Sequence, residues 1–224
     1  MHLPFDPATL SPEACHKLTI GTVVPRPIAW TSSVDEEGRV NLAPFSYFMA
    51  CHSYVPALAL SIGSRAGRPK DSRANIAATG EFVVNIVNPA LLPAMNVTAA
   101  DFPPDVSEAD VAGVAMVPSV KVRPPRVADA PIQIECRVIQ AIDLGEAPRV
   151  STLFIGQILM WHIREDLLGQ DHKVDQAGIQ AVARMGGPFY TVAREPFALQ
   201  IPDWRQLLPD HPLATAAPST GNRT

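Results

Sequence analysis

From Val24 to Val87 short apolar runs alternate with hydroxyl, amide and small residues. Pro25-Arg26-Pro27-Ile28-Ala29-Trp30-Thr31-Ser32-Ser33 is followed by the charged turn Asp35-Glu36-Glu37-Gly38 and by Asn41-Leu42-Ala43-Pro44-Phe45-Ser46-Tyr47-Phe48. Proline lacks a ladder donor, so Pro25 and Pro27 mark an edge or bulge. Ile28 to Val34 should pair with Val40 to Leu42 as a hairpin, with Pro44 breaking the second strand. In Ala57 to Gly63, Leu58, Leu60 and Ile62 share one face. Ala59 and Ser61 occupy the other face, where small side chains would let a flat ring approach. Lys70-Asp71-Ser72 opens a short helix capped by Asp71 or Ser72 and closed at Gly80. Glu81 to Val87 is apolar on both faces and reads as a central strand.

The remaining chain continues this pattern. Ser11-Pro12-Glu13 opens a helix containing Cys15 and Leu18. Pro89 to Met95 reads as a helical turn, and a further helix can follow Pro104. Ile132, Ile134, Cys136 and Val138 alternate with Gln133, Glu135 and Arg137, which predicts a half-exposed strand. Ser151 to Ile163 is apolar on both faces: Leu153, Ile155, Leu159 and Trp161 on one, Phe154, Ile158, Met160 and His162 on the other. One face would meet the core and the other a subunit or ligand. Many short strands with few short helices specify a mainly β, closed or nearly closed antiparallel barrel with short peripheral helices.

Composition narrows the function classes. The net charge is −4, which gives no reason to expect nucleic acid or an anionic membrane as partner. The 23 prolines, about twice the usual frequency, are spread along the chain and suit turns and strand ends. Cys15, Cys51 and Cys136 are widely spaced and form no C-x-x-C motif, which argues against a zinc site or redox pair. No stretch approaches the ~18 apolar residues of a membrane span, and no signal-peptide run is present, so a cytoplasmic protein is expected. No G-x-G-x-x-G follows a strand, so a Rossmann domain is not expected. Asp171-His172-Lys173-Val174-Asp175 lacks helical ligand spacing and is a weak metal candidate. Arg123 and Arg126 could meet an anion, but solvated charge explains them as well.

Several residue types suit a ligand with a ring at one end and a phosphate at the other. Thr31, Ser32, Ser33 and Ser46 carry hydroxyls at strand ends, although turn chemistry uses the same residues. Lys70 stands immediately before a helix N-terminus, where unpaired N–H groups and the macrodipole favour an anion. Phe45, Tyr47 and Phe48 could line a flat ring. Gly186-Gly187 is a tight backbone site that could face a ligand.

In their order these segments resemble the flavin reductase-like family, which includes the flavoredoxins and has an FMN-binding split β-barrel. The matching pieces are Arg26-Pro27-Ile28-Ala29, the hydroxyl trio, Asp35 to Gly38 with Asn41 to Ser46, Lys70-Asp71-Ser72, and Gly80 to Asn85. Similarity resumes at Met95-Asn96-Val97-Thr98 and at Ala183 to Tyr190, so it spans roughly residues 15 to 195. The resemblance implies a domain over 1–195 followed by a C-terminal extension, 196–224, whose end from His211 is expected to be mobile.

The resemblance also implies FMN as cofactor, held by Thr31, Ser32, Ser33, Ala43, Pro44, Phe45 and Ser46. Ser61, Ile62 and Gly63 would line its path. Lys70 and Ser72 would take the phosphate. Arg184, Gly187 and Tyr190 would close the site or reach a neighbouring subunit. NADH or NADPH would pass hydride to the flavin, and electrons would go on to a small-molecule acceptor or partner oxidoreductase. The flavin supplies the reactivity, so no catalytic residue is required beyond it, with His162 the one weak candidate. A homodimer is implied as well. Ser72 replaces an expected threonine and keeps the hydroxyl. Met49-Ala50-Cys51-His52-Ser53-Tyr54 replaces a stretch expected to carry an asparagine and an aspartate, which leaves the acceptor open. An electron-transfer flavoprotein without its own nicotinamide reaction, and a flavin-free binding barrel, are the alternatives.

Overall fold

A seven-stranded antiparallel sheet forms the frame of the computed structural model, which describes residues 1–208 except Ala66 and Pro104. Its strands are β1 (Ala29–Val34), β2 (Val40–Phe45), β3 (Phe48–His52), β4 (Ala57–Ile62), β5 (Glu81–Asn85), β6 (Ile132–Leu144) and β7 (Ser151–Ile163). Their order in the sheet is β2-β1-β5-β6-β7-β4-β3. Phe45 of β2 and Leu58, Leu60 and Ile62 of β4 nevertheless share one core with Phe82, Cys136 and Phe154. Strands far apart in the order therefore face each other, and the sheet curls into a half-barrel. A second core, around Trp30, Leu42, Val87, Met95 and Val127, fills the other side of β1.

Two cores explain why every residue of β1 is buried. Ala29 enters the first core and Trp30 the second. The Trp30 indole N–H donates to Thr98 Oγ1 at 2.9 Å, so its polar edge is satisfied. The β1–β2 hairpin closes as the sequence predicts, with Gly38 at φ 87° and the Arg39 N–H on Asp35 Oδ1 at 2.8 Å. Pro44 does not break β2: it pairs with Trp30, and the strand runs on to Phe45. β2 is an edge strand, so a missing donor there disturbs no ladder.

Helix α1 (Pro12–Thr22) is capped by Ser11, whose Oγ accepts from the Ala14 N–H at 3.2 Å. Helix α2 (Asp71–Thr79) ends at Gly80 in the left-handed region, φ 70°, as expected. Its N-cap, however, is Lys70 and not Asp71 or Ser72, and no side chain caps it. Short helices α3 (Leu92–Val97) and α4 (Glu108–Val111) follow, then α5 (Gln176–Ile179), capped by Asp175. A small hairpin, Val182–Arg184 with Tyr190–Val192, pairs with Arg26–Pro27.

Two strands depart from the simple alternation. On β6 the polar face is only partly exposed: Gln133 and Glu135 are buried, while Arg137 is exposed. The connector that holds Arg123 and Arg126 packs against this face and supplies partners. Val120 and Lys121 donate backbone N–H groups to Glu135 at 2.9 and 2.6 Å, and Arg126 donates to Gln133 at 2.5 Å. Arg123 lies 3.6 Å from Glu81. On β7 the register shifts between Ile158 and Met160, leaving Leu159 as an extra residue. The shift reverses the faces beyond it, so His162 pairs with Gln133 and Trp161 with Ile134. His162 therefore does not share a face with Phe154.

The chain divides into Met1–Arg194 and Glu195–Thr224. Within the second unit a short helix, α6 (Trp204–Leu207), starts at Asp203. The tail from His211 lies outside the described residues.

Candidate functional site

A cleft of about 760 Å³ opens beside the edge strand β2 and the start of α2. Ala43, Pro44, Phe45 and Ser46 line it from the strand side, and Lys70 and Ser72 from the helix side. Arg184, Gly187 and Tyr190 line it from the late hairpin. Residues separated by more than 100 positions thus meet because the hairpin pairs with Arg26–Pro27 just before β1.

Charge is distributed unevenly around the cleft. Arg65, Arg68 and Lys70 come from one short segment, and Arg65 is ion-paired with Asp101. Lys70 Nζ stands 5.4 Å from the Phe45 ring centroid, a cation–π arrangement. Burial against the cleft wall, and then Arg65, lower the Lys70 pKa, while Asp101 opposes the shift. Ser72 is buried, and its Oγ accepts from Asn41 Nδ2 at 2.8 Å. The hydroxyl hydrogen keeps its own freedom to donate.

Arg26 ties the parts together. Its guanidinium donates to Ile20 O and Val23 O, both at 2.7 Å, to Met185 O at 3.1 Å and to Ser46 Oγ at 3.4 Å. It thereby fixes the C-terminal end of α1 and the late hairpin against Ser46. Arg184 stacks on Tyr190, hydrogen-bonds its hydroxyl and donates to Gly187 O at 2.7 Å. Gly187 sits at φ 59°, a left-handed conformation that favours glycine.

A second cleft of about 1080 Å³ shares Pro44, Phe45, Ser46 and Lys70 with the first. Ser61 and Gly63 line this second space. Ile62 is buried in the core and lines neither. The hydroxyl trio also stays outside both clefts, because cores cover both faces of β1. Thr31 donates to Ala29 O, Ser32 to Pro125 O, and Ser33 Oγ accepts from Asn75 at 3.3 Å. His162 is absent from both linings and holds Glu135 at 2.6 Å.

Sequence reasoning gave no role to Asn41, Glu108 or Arg26, all of which line the first cleft. Arg26 lies inside the Arg-Pro-Ile-Ala segment, so that motif was the available signal. Asn41, Ser72 and Glu108 meet only through the folded sheet, and their local sequence carries no sign of it.

The chain is similar to several known proteins. It is 41% identical over 206 residues to an uncharacterized protein of Deinococcus radiodurans, covering 88% of this chain and 89% of that one. The structure of nitrilotriacetate monooxygenase component B from Bacillus cereus superposes with TM-score 0.85 at 33% identity, over 89% of this chain and 99% of the other. The Pseudomonas fluorescens 2-nitrobenzoate 2-nitroreductase gives TM-score 0.81 at 29% identity, over 98% and 100% of the two chains. The curled sheet is accordingly the split barrel of flavin reductase-like proteins. With the family described as flavin reductase like domain matching residues 20–178, this chain belongs to the flavin reductase-like family.

Proposed function

We propose that this protein binds FMN in the cleft beside β2 and α2 and acts as an NAD(P)H-dependent flavin reductase. The observation that carries the reading is the cleft's two-part chemistry. Lys70, Arg68 and the open N–H groups at the start of α2 suit a phosphate. Phe45 and the edge-strand backbone from Ala43 to Ser46 suit a flat, polar-edged ring. The residues present therefore fit such a cofactor.

When bound, the flavin supplies the capacity to accept hydride and pass electrons to a second acceptor. The chain's own residues bind and orient it. Lys70 and Ser72 would hold the phosphate, with Asn41 fixing the position of the Ser72 hydroxyl. Arg26 would keep Ser46 turned towards the cleft. Arg184 and Tyr190 would bound its far wall and limit water access. The likeness to a monooxygenase component and to a nitroreductase supports transfer of the electrons to a partner oxygenase or a small acceptor.

We also propose that the protein is a homodimer. Ile142 and Leu153 are cross-strand partners on the face of β6–β7 opposite Phe154, and Ile142 is 37% exposed. No helix among the described residues is long and apolar enough to cross a membrane.

The deciding experiment is a visible spectrum of purified protein with FMN, followed by anaerobic NADH or NADPH. Bleaching of the flavin band supports the reductase reading. A bound flavin that neither nucleotide bleaches would instead indicate an electron-transfer flavoprotein. A protein that never takes up FMN would indicate a flavin-free binding barrel.

A further inference from the structure

Glu108 is an acid buried in the wall of a cleft that also carries Arg65, Arg68 and Lys70. It is 8% exposed and lines both the main cleft and an adjoining pocket of about 290 Å³. It stands at the first position of α4, where the Ser107 cap fixes the start of the turn. From there Oε2 accepts the Leu42 N–H at 3.2 Å. Leu42 is on the edge strand β2, so this bond satisfies an outward-facing donor that no neighbouring strand reaches.

That bond does not require a carboxylate. A glutamine oxygen would accept the same N–H, without the expense of burying a charge. Among the described residues no cation is ion-paired with Glu108, and its donors are backbone N–H groups, its own and that of Leu42. Burial pushes its pKa up, with the nearby Asp71 adding to the shift and backbone N–H groups opposing it. A buried carboxyl that lines a cleft and is held only by backbone N–H groups can take further donors from a ligand.

The ligand's phosphate cannot be that donor, because like charges repel. Hydroxyl groups can, and a hydrogen bond to a charged acceptor is stronger than one between neutral groups. Ser72, which marks the phosphate end, lines the same cleft and is bonded to Asn41, on the same strand as Leu42. We infer that Glu108 is a specificity-determining residue that accepts hydrogen bonds from the hydroxyl groups of the polyol chain joining ring to phosphate. It would thereby select a ribityl-bearing flavin over a bare ring. This rests on the reading that the cleft takes FMN.

The test is equilibrium binding, read by flavin fluorescence, for wild type and Glu108→Gln. The probes are riboflavin, which has the polyol but no phosphate, and lumiflavin, which has neither. Glutamine keeps the acceptor for Leu42, and an unchanged far-ultraviolet spectrum checks the fold. Riboflavin should weaken about 5- to 20-fold in the variant, while lumiflavin, read by competition, changes less than about twofold. An equal loss for both probes, or a riboflavin loss under about twofold, would overturn the assignment while leaving the flavin site in place. Failure of wild type to bind FMN or riboflavin would overturn the flavin reading and this inference with it.

Discussion

His162 Nε2 lies 2.6 Å from Glu135 Oε1, and Glu135 is fully buried. Two backbone N–H groups, from Val120 and Lys121, also reach this carboxylate. Arg126 approaches to 3.9 Å. The carboxylate thus pins the connector between the 116–117 strand and β6. The histidine belongs to this anchor and not to either cleft.

Glu135→Ala should therefore damage stability while His162→Ala should do much less. Removing Glu135 orphans two donors, each worth roughly 1–3 kcal/mol if left unpaired, so a loss of about 2–6 kcal/mol is expected. His162→Ala removes one partner at the rim and should leave flavin affinity within about twofold. Urea unfolding and an FMN titration of both variants check this. A His162→Ala protein that binds FMN but cannot reduce it would move His162 into the reaction.

The same carboxylate sets a pH dependence. Burial pushes its pKa up, but the Val120 and Lys121 N–H groups and His162 outweigh burial, so the net shift is downward. A depressed carboxyl pKa contributes stability above its unfolded value, about 4.3, and that stability is lost as pH falls through the folded value. Glu135→Gln should be less stable than wild type at pH 7, and the gap should shrink below about pH 4. Melting temperatures across that range measure it. A gap that widens as pH falls contradicts the assigned sign.

Gly156 is where β7 passes over Phe82. An added Cβ would stand 2.5 Å from Phe82 Cζ and 3.3 Å from Cys136 Cβ. Phe82 is fully buried and has no room to turn away. Gly156→Ala should cost about 1–3 kcal/mol or more by overpacking. Chemical denaturation showing a loss under about 0.5 kcal/mol would mean that β7 shifts more easily than the packing implies.

The β1–β2 hairpin was legible because Asp35, Gly38 and the alternating apolar residues act locally. The edge-strand and helix-start parts of the cleft, Ala43 to Ser46 and Lys70 to Ser72, were legible through their order along the chain. Three features were not. Glu135 reads as an exposed strand residue until the connector supplies its donors from 15 residues away. His162 changes face because one extra residue, Leu159, enters β7, and no local composition marks such a bulge. Thr31, Ser32 and Ser33 look like ligand hydroxyls, yet a strand between two cores turns them inward, where neighbouring groups use them.

The apolar face of β6–β7 gives a prediction about assembly. Ile142 and Leu144 are both more than one-third exposed, and Leu153 stands opposite Ile142. Light scattering should give about twice the 24.1 kDa chain mass. Ile142→Glu should shift the population toward monomer, because a buried unpaired charge costs several kcal/mol. A wild-type mass of one chain at micromolar concentration would sink the dimer.

Lys70 gives the most direct test of the cofactor's phosphate end. It is the N-cap of α2 and lines both clefts, and its ammonium also lies over the Phe45 ring. A hydrogen bond to a charged group is worth roughly 1.5–3 kcal/mol, so Lys70→Ala should weaken FMN about 10- to 150-fold. Riboflavin lacks the phosphate, so its affinity should fall far less. In the proposed site the lysine would touch the phosphate end and not the reacting ring, so nicotinamide oxidation should largely recover when FMN is saturating. Arg68, which lines only the first cleft and stands two residues before the N-cap of α2, should give a smaller loss. Titrations of Lys70→Ala and Arg68→Ala with FMN and riboflavin at fixed ionic strength separate these effects. Equal weakening of both flavins by Lys70→Ala would place the lysine against the ring and move the phosphate elsewhere.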